Sequence, residues 1–176
     1  MDKKRKLIIF LTIAVSSFAL DIGTKIWAQK NVTRAFVNPE SQTSFSLNFN
    51  LAFNKGAAFG IFTGMSSGKY LLIFIGIIAL GFIYWLYRRE ESNNKIYLIG
   101  LALITGGALG NLVDRIIFGV VTDFIQFWGF KSLKITWPWP TFNIADIVLV
   151  IGVGLMIIYS FMIETGKKKK NKKAAV

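Results

Sequence analysis

Four long apolar runs dominate the chain, and polar or charged residues bound each of them. They cover residues 7–28, 70–87, 96–113 and 146–163. At a rise of 1.5 Å per residue, a helix of about 20 residues crosses a hydrocarbon core of ~30 Å. The pattern therefore predicts four transmembrane helices, the first of which is retained as a membrane span rather than removed as a secretory signal peptide.

Two polar segments, 31–69 and 114–145, separate these runs on what we interpret as the extracytoplasmic side. Within the first segment, residues 43–50 alternate polar and apolar side chains with a period of two, which predicts a strand. We interpret the second segment as a loop that carries a short amphipathic piece around residues 124–130. The fold class is then an all-α membrane protein with a small β element, organised as a single domain over residues 1–176.

Two glycines in the third run have the spacing of a helix-packing motif. Gly106 and Gly110 stand four residues apart, so they share one face of a helix. Small residues at this spacing allow a neighbouring helix to approach closely. We therefore expect the third helix to pack tightly against its neighbours.

The positions of the basic residues predict how the protein is oriented in the membrane. The net charge is +12, and 13 of the 21 Lys and Arg residues fall in clusters at 3–6, 88–95 and 167–173. These clusters flank the apolar runs, which is the positive-inside pattern, and this placement argues against nucleic-acid binding. Both termini are predicted to be cytoplasmic, with a basic tail at 164–176.

The sequence contains no cysteine and no histidine. This excludes a thiolate nucleophile, a cysteine-ligated zinc and a serine–histidine–aspartate triad. A metal would have to be bound by oxygen ligands alone, and we expect neither a metal nor a cofactor. The carboxylates are therefore the first candidates for chemistry.

Asp123 is flanked by apolar residues on both sides, and Asp146 lies at the start of the fourth apolar run. One interpretation is an aspartyl pair that shares a proton, in which one member activates water and the other protonates a carbonyl oxygen. The alternative is structural: Asp146 caps the fourth helix, and Asp123 pairs with Arg115 or a lysine. Sequence spacing leaves both interpretations open.

Two groups of polar residues have helical spacing near the outer ends of spans. Asn111, Asp114 and Arg115 share one face of the third helix, where they either orient the aspartyl segment or form a simple ion pair. Asp21 and Lys25 stand four residues apart in the first helix, which predicts a structural ion pair.

Five motifs in one order resemble the bacterial lipoprotein signal peptidases, also called signal peptidase II. They are DIGTK (21–25), NKGAAFG (54–60), GGALGNLVDR (106–115), VTDFI (121–125) and FNIAD (142–146). The resemblance implies a four-helix membrane bundle with an extracytoplasmic β-cradle and a short, flexible outer helix. One departure is Ile22, where the family usually has glutamine.

The resemblance also implies a function and a site. Members of this family are aspartic endopeptidases that cut the signal peptide from prolipoproteins just before a diacylglyceryl-modified cysteine. The catalytic pair falls on Asp123 and Asp146. The remaining candidates, which bind substrate or support the pair, are Asp21, Lys25, Asn54, Gly56, Asn111, Asp114, Arg115 and Asn143.

The expected partners are prolipoprotein substrates and membrane lipid, but not nucleic acid, and we expect a monomer. Two other functions compete with the peptidase. A small proton-coupled transporter would use the same carboxylates as a relay, although it predicts acids at several depths of the membrane. A non-catalytic membrane scaffold would tolerate replacement of both aspartates.

Overall fold

The computed structural model describes residues 2–33, 46–56, 68–89, 94–128 and 139–174. Within these residues four helices and two strands follow in this order: α1 (Lys3–Asn31), β1 (Ser46–Asn54), α2 (Gly68–Arg89), α3 (Lys95–Phe118), β2 (Val121–Trp128) and α4 (Ile144–Ala174). All four helices are long and apolar enough to cross a membrane. Each predicted span lies inside one of them.

Local sequence explains where two of the helices begin and where one ends. The Asp2 side chain accepts a hydrogen bond from Lys4 N, and the Asn94 side chain accepts from Ile96 N and Tyr97 N. These are N-cap contacts, which satisfy backbone N–H groups that have no partner inside the helix. Helix α3 ends at Gly119, whose φ of +73° is a left-handed conformation that glycine adopts without steric cost.

Helix α3 is the central element of the bundle, because it packs against α1, α2 and α4. In its membrane-spanning part 56% of the residues are buried, against 6–17% in the other three helices. Those helices instead expose large apolar side chains, including Phe74, Phe82 and Phe161. Such extended apolar surfaces are suited to contact with lipid.

Glycines on α3 allow this close packing, as the sequence predicted. A Cβ atom at Gly106 would lie 2.6 Å from the Ala14 carbonyl oxygen of α1. A Cβ atom at Gly107 would lie 2.6 Å from the Ala145 carbonyl oxygen of α4. Real Cβ atoms do not approach backbone oxygens this closely, so a larger residue would push the helices apart.

The two strands form an antiparallel pair above the helix ends. Phe49 pairs with Ile125, Ala52 with Asp123 and Asn54 with Val121, with an irregularity between Phe49 and Ala52. Phe142 adds a further bridge to Ile125, which ties the segment before α4 to the sheet. Asp123 is thereby held between β1 and the start of α4.

The prediction for the second polar segment was wrong. Helix α3 continues to Phe118, and residues 121–128 form a strand instead of an amphipathic piece in a loop. The segment is rich in β-branched and aromatic residues, which favour strands. It was missed because Val121 to Ile125 are all buried, so both faces are covered and the period-two alternation is absent.

The strand predicted over residues 43–50 is confirmed for the part that falls in β1, whereas residues 43–45 lie outside the described residues. No short outer helix occurs among the residues that the structure describes.

Candidate active site

Asp123 lies in β2 with only 2% of its surface exposed. Its Oδ1 accepts from the Asn143 side-chain nitrogen at 2.7 Å, and its Oδ2 accepts from the Asn54 side-chain nitrogen at 3.2 Å. Burial, followed by the negative charge of Asp146, raises the pKa of Asp123 from 3.8 to about 7. Near neutral pH this carboxyl can therefore hold a proton and donate it.

Asp146 lies in the first turn of α4, where the positive end of the helix dipole favours a carboxylate. Its Oδ1 accepts from the Asn111 side-chain nitrogen at 2.8 Å, and its Oδ2 accepts from Asn143 N at 3.2 Å. Both oxygens of Asp146 thus accept hydrogen bonds from N–H groups.

The capping interpretation of Asp146 is also correct in part. Asn143 precedes α4, and its side-chain oxygen accepts from Asp146 N at 3.0 Å while Asp146 Oδ2 accepts from Asn143 N. This reciprocal arrangement is a capping box. The cap residue itself is Asn143, and Asp146 supports it from the third helical position.

Asn143 connects the two aspartates and is fully buried. Its side-chain nitrogen faces Asp123 Oδ1, the Thr122 carbonyl oxygen at 3.2 Å and Asn111 Oδ1 at 3.1 Å. Because a carbonyl oxygen only accepts and the Asp146 backbone N–H only donates, these two partners fix the orientation of the amide.

Lys25 is buried among polar groups from α1 and α3. Its Nζ lies 2.8 Å from Asp21 Oδ2, 3.4 Å from Asp114 Oδ2 and 3.0 Å from Asn111 Oδ1. The predicted ion pair between Asp21 and Lys25 is confirmed. It is part of a larger cluster, because Asp114 also joins it.

Arg115 connects α3 to the end of β1. Its Nη2 donates to the Gly56 carbonyl oxygen and its Nη1 to the Asn111 carbonyl oxygen, both at 3.2 Å. The Asn54 side chain in turn accepts from Gly56 N at 3.0 Å. Among the described residues, Asp123 is held by two amides, and the alternative ion pair with Arg115 is not formed.

A cavity of about 380 Å³ opens at the two aspartates. Its polar side contains five of the candidate residues: Asn54, Asn111, Arg115, Asp123 and Asp146. Its remaining wall is mostly apolar and includes Val121, Trp139, Pro140, Phe142, Leu149 and Val150. The site can therefore receive a substrate that is polar at one point and apolar beside it.

A family model described as signal peptidase (SPase) II matches residues 13–162. The chain belongs to the signal peptidase II family. Among its relatives, the lipoprotein signal peptidase of Aquifex aeolicus (strain VF5) is 41% identical over 166 residues, covering 91% of this chain and 90% of the relative. That of Blochmanniella pennsylvanica (strain BPEN) is 39% identical over 152 residues, covering 85% and 86%.

Solved structures agree with this membership of the signal peptidase II family. A bacterial membrane enzyme determined by the in meso method at 2.3 Å resolution superposes with a TM-score of 0.73 and 31% identity, covering 90% of this chain and 91% of that one. The four-span fold predicted from the resemblance is confirmed. The membership also disfavours the transporter and the scaffold.

Within this family framework, sequence analysis missed three contributors to the site. Thr122 and Ala145 take part through their backbones, and Gln29 donates to Thr122 Oγ1 at 2.8 Å. Gln29 stands four residues after Lys25 and eight after Asp21, so its position on the same helical face was a usable signal. Backbone contributions have no such signal, because any residue type can supply them.

The described residues contain no group of three or more His, Cys, Asp or Glu side chains arranged to hold a metal ion.

Proposed function

We propose that this protein is an aspartic endopeptidase in which Asp123 and Asp146 form the catalytic pair. Family membership supports the coarser activity, the proteolytic removal of signal peptides from prolipoproteins. The observation that carries the finer proposal is the different environment of the two carboxyls. Burial raises the pKa of Asp123 to about 7, while Asp146 accepts N–H donors at both oxygens.

These environments assign a role to each aspartate. Asp146, ionised, takes a proton from a water molecule whose oxygen attacks the scissile carbonyl carbon. Asp123, protonated, donates its proton to the carbonyl oxygen as the tetrahedral intermediate forms. Asp146 then returns its proton to the leaving amide nitrogen as the C–N bond breaks. Asp123 recovers a proton from the intermediate's hydroxyl group, and both carboxyls return to their starting states.

The lining of the cavity is consistent in chemistry with a substrate that carries a lipid group. Leu149 and Val150 follow Asp146 along α4 and line the cavity, and Val150 is 72% exposed. An acyl chain beside the scissile bond can therefore run from the polar pair along α4 towards the bilayer without crossing water. We take the substrate to be a prolipoprotein carrying a diacylglyceryl cysteine, with cleavage just before that residue by a monomeric enzyme.

Four membrane-spanning helices give a multi-pass membrane protein. We propose that it lies in the bacterial cytoplasmic membrane with both termini in the cytoplasm and the active site at the outer face. Arg88 and Arg89 in the last turn of α2 support this orientation. The candidate site residues lie at the opposite ends of the helices, from Asp21 in α1 to Asp146 in α4.

The orientation can be tested directly, because the chain has no cysteine of its own. Lys55→Cys and Lys95→Cys introduce one thiol each at exposed positions near opposite helix ends. A membrane-impermeant maleimide should label Lys55→Cys in intact spheroplasts and Lys95→Cys only after permeabilisation. The reverse labelling would overturn the orientation.

The activity itself is tested with purified protein and two forms of one prolipoprotein, with and without the diacylglyceryl group. We expect cleavage of the lipidated form at the bond before the modified cysteine, and at least ~10²-fold slower cleavage of the unlipidated form. Equal rates would overturn the lipid requirement. Absence of cleavage of both forms would overturn the proposed activity.

A further inference from the structure

A fully buried ionic cluster lies behind the proposed catalytic pair. Asp21, Lys25 and Asp114 are 0%, 1% and 2% exposed, and none of these three belongs to the described residues that line the cavity. Ion pairs this deep are costly to desolvate, and apolar replacements of similar volume are often as stable. Stability alone therefore does not explain why these charges are here.

Both acids of the cluster hold the backbone of the residue that precedes a catalytic aspartate. Asp21 Oδ1 accepts from Ala145 N at 2.8 Å, one residue before Asp146. Asp114 Oδ2 accepts from Thr122 N at 2.8 Å, one residue before Asp123. Two segments far apart in sequence are thus fixed by carboxylates that share one lysine.

Lys25 also determines which atom of Asn111 faces Asp146. The Lys25 ammonium only donates hydrogen bonds, and it lies 3.0 Å from Asn111 Oδ1. With the amide oxygen held in this way, the amide nitrogen faces Asp146 Oδ1 at 2.8 Å. Without Lys25, Asn111 Oδ1 would keep only the Asn143 side-chain nitrogen as a donor, at 3.1 Å, so the amide that faces Asp146 would be held less firmly.

We propose that Asp21, Lys25 and Asp114 form an ionic hub that positions both catalytic aspartates, with Lys25 acting on Asp146 through Asn111. Lys25 is a positioning residue, since it acts through Asn111 and does not line the cavity. The inference rests on the proposed function, because it assigns a role relative to the same pair.

Two variants distinguish the positioning role of Lys25 from its role in neutralising buried carboxylates. Lys25→Met removes the donor but leaves two buried carboxylates without a cation. Lys25→Met combined with Asp21→Asn keeps the hub charge unchanged, since one cation and two anions become one anion. In that double variant the amide oxygen introduced by Asp21→Asn can still accept from Ala145 N, while Asn111 Oδ1 has lost the Lys25 donor and keeps only the Asn143 side-chain nitrogen. Lys30→Met, an exposed lysine of the same helix, is the matched control.

We would measure kcat, KM and the pH–rate profile on the lipidated substrate, together with thermal unfolding in detergent. The double variant should unfold cooperatively, with kcat lowered by roughly 10²-fold and KM within ~3-fold of the parent. Lys30→Met should match the parent within about 2-fold.

The pH profile distinguishes positioning from a general loss of structure. The charged groups facing the pair come from two helices: Asp21 and Lys25 from α1, and Asp114 and Arg115 from α3. In Lys25→Met, Asp123 loses a cation that lowers its pKa, so the alkaline limb of the profile should move to higher pH. In the double variant the hub charge is kept, so the alkaline limb should lie near its parent position while kcat stays low.

Parent-like kcat and pH profile in the double variant would overturn the hub. In Lys25→Met, a loss of rate that is uniform over pH, with the alkaline limb not displaced, would also overturn it. Asp123→Asn, assayed in parallel, keeps the two claims separate. If that variant is inactive while the double variant is parent-like, the hub is wrong and the catalytic pair stands. If Asp123→Asn retains activity, the pair itself is wrong.

Discussion

The side-chain nitrogen of Asn143 lies 2.7 Å from Asp123 Oδ1, and this contact connects the cap of α4 to a carboxyl of β2. The same side chain accepts from Asp146 N at 3.0 Å. One buried amide therefore fixes the relative position of two carboxyls that come from different elements. The amide is oriented with its nitrogen towards Asp123 and its oxygen towards the backbone of α4, so each end has its own partner.

Replacing the Asn143 amide should lower the rate of cleavage strongly and the free energy of unfolding only modestly. In Asn143→Ala, Asp123 loses a donor and α4 loses its cap, and loss of a cap costs about 0.5–2 kcal/mol. We expect kcat for prolipoprotein cleavage to fall by ~10²-fold or more, because both aspartates become free to shift.

Asn50→Ala is the control for Asn143→Ala. It removes a side-chain hydrogen bond to Gln126 at 3.2 Å between β1 and β2, and neither residue belongs to the described residues that line the cavity. Its kcat should stay within about 3-fold of the parent. Equal losses in the two variants would contradict the role given to Asn143.

Most of the fold was predictable from sequence because membrane spans are long, uniformly apolar and bounded by charge. Strand β2 was not, since burial of both faces removes the alternation on which strand prediction depends. The site was predictable as far as its side chains form recognisable motifs. The hydrogen bonds to Ala145 N and Thr122 N could not be predicted, because they depend on tertiary packing. Asp21 of α1 reaches Ala145, 124 residues further along the chain, and Asp114 of α3 reaches Thr122, 8 residues further along.

The pH dependence of cleavage should follow the titration of Asp123. Its pKa is raised to about 7 mainly by burial, so the proton that it donates is lost as the pH rises through this value. The rate on lipidated substrate should fall above about pH 7. Asn54→Ala removes a hydrogen bond that lowers the pKa of Asp123, so its alkaline limb should move to higher pH. A flat profile from pH ~6 to ~9 would contradict this assignment.

The same titration affects folding stability with a defined sign. The folded state binds the Asp123 proton more tightly than the unfolded state, whose pKa is the ordinary 3.8. This contribution is therefore complete below pH 3.8 and is lost as the pH rises to about 7. The midpoint of thermal unfolding in detergent should fall over this interval in the parent and fall less in Asp123→Asn. An equal pH dependence in both proteins would argue against a raised pKa.

Because α1 and α3 pack closely behind the site, adding a methyl group at Gly110 should impair both activity and stability. A Cβ atom at Gly110 would collide with the Asp21 carboxylate, whereas one at Gly154 would meet no atom within 4 Å. Gly110→Ala should lower both cleavage and the unfolding temperature, at a cost of about 1–3 kcal/mol. Gly154→Ala should be neutral in both measurements. Parent-like behaviour of Gly110→Ala would contradict the observed packing of α1 against α3.

Cleavage should be independent of divalent metal ions, because the two aspartates supply both the base and the acid. Prolonged treatment with EDTA should leave the rate on lipidated substrate unchanged within about 2-fold. A matched sample treated with EDTA saturated by Ca²⁺ controls for effects of the chelator on detergent and lipid. Loss of activity that added metal restores would favour a carboxylate–metal site over the aspartyl pair.

The central claim is that Asp146 is a catalytic base and not merely part of a helix cap. Asn is nearly isosteric with Asp and caps helices about equally well, so Asp146→Asn should fold and insert in the membrane. An amide cannot take a proton from water, and a general base contributes roughly 10²–10⁴-fold to the rate. Asp2→Asn is the matched control, since Asp2 also accepts a backbone N–H at a helix start, 2.6 Å from Lys4 N.

The decisive measurement is the cleavage rate of a diacylglyceryl-modified prolipoprotein by purified parent, Asp146→Asn and Asp2→Asn, each with a cooperative unfolding transition. We predict that Asp146→Asn loses at least ~10²-fold in rate while Asp2→Asn retains the parent rate. Cleavage by Asp146→Asn at near the parent rate would contradict the catalytic pair.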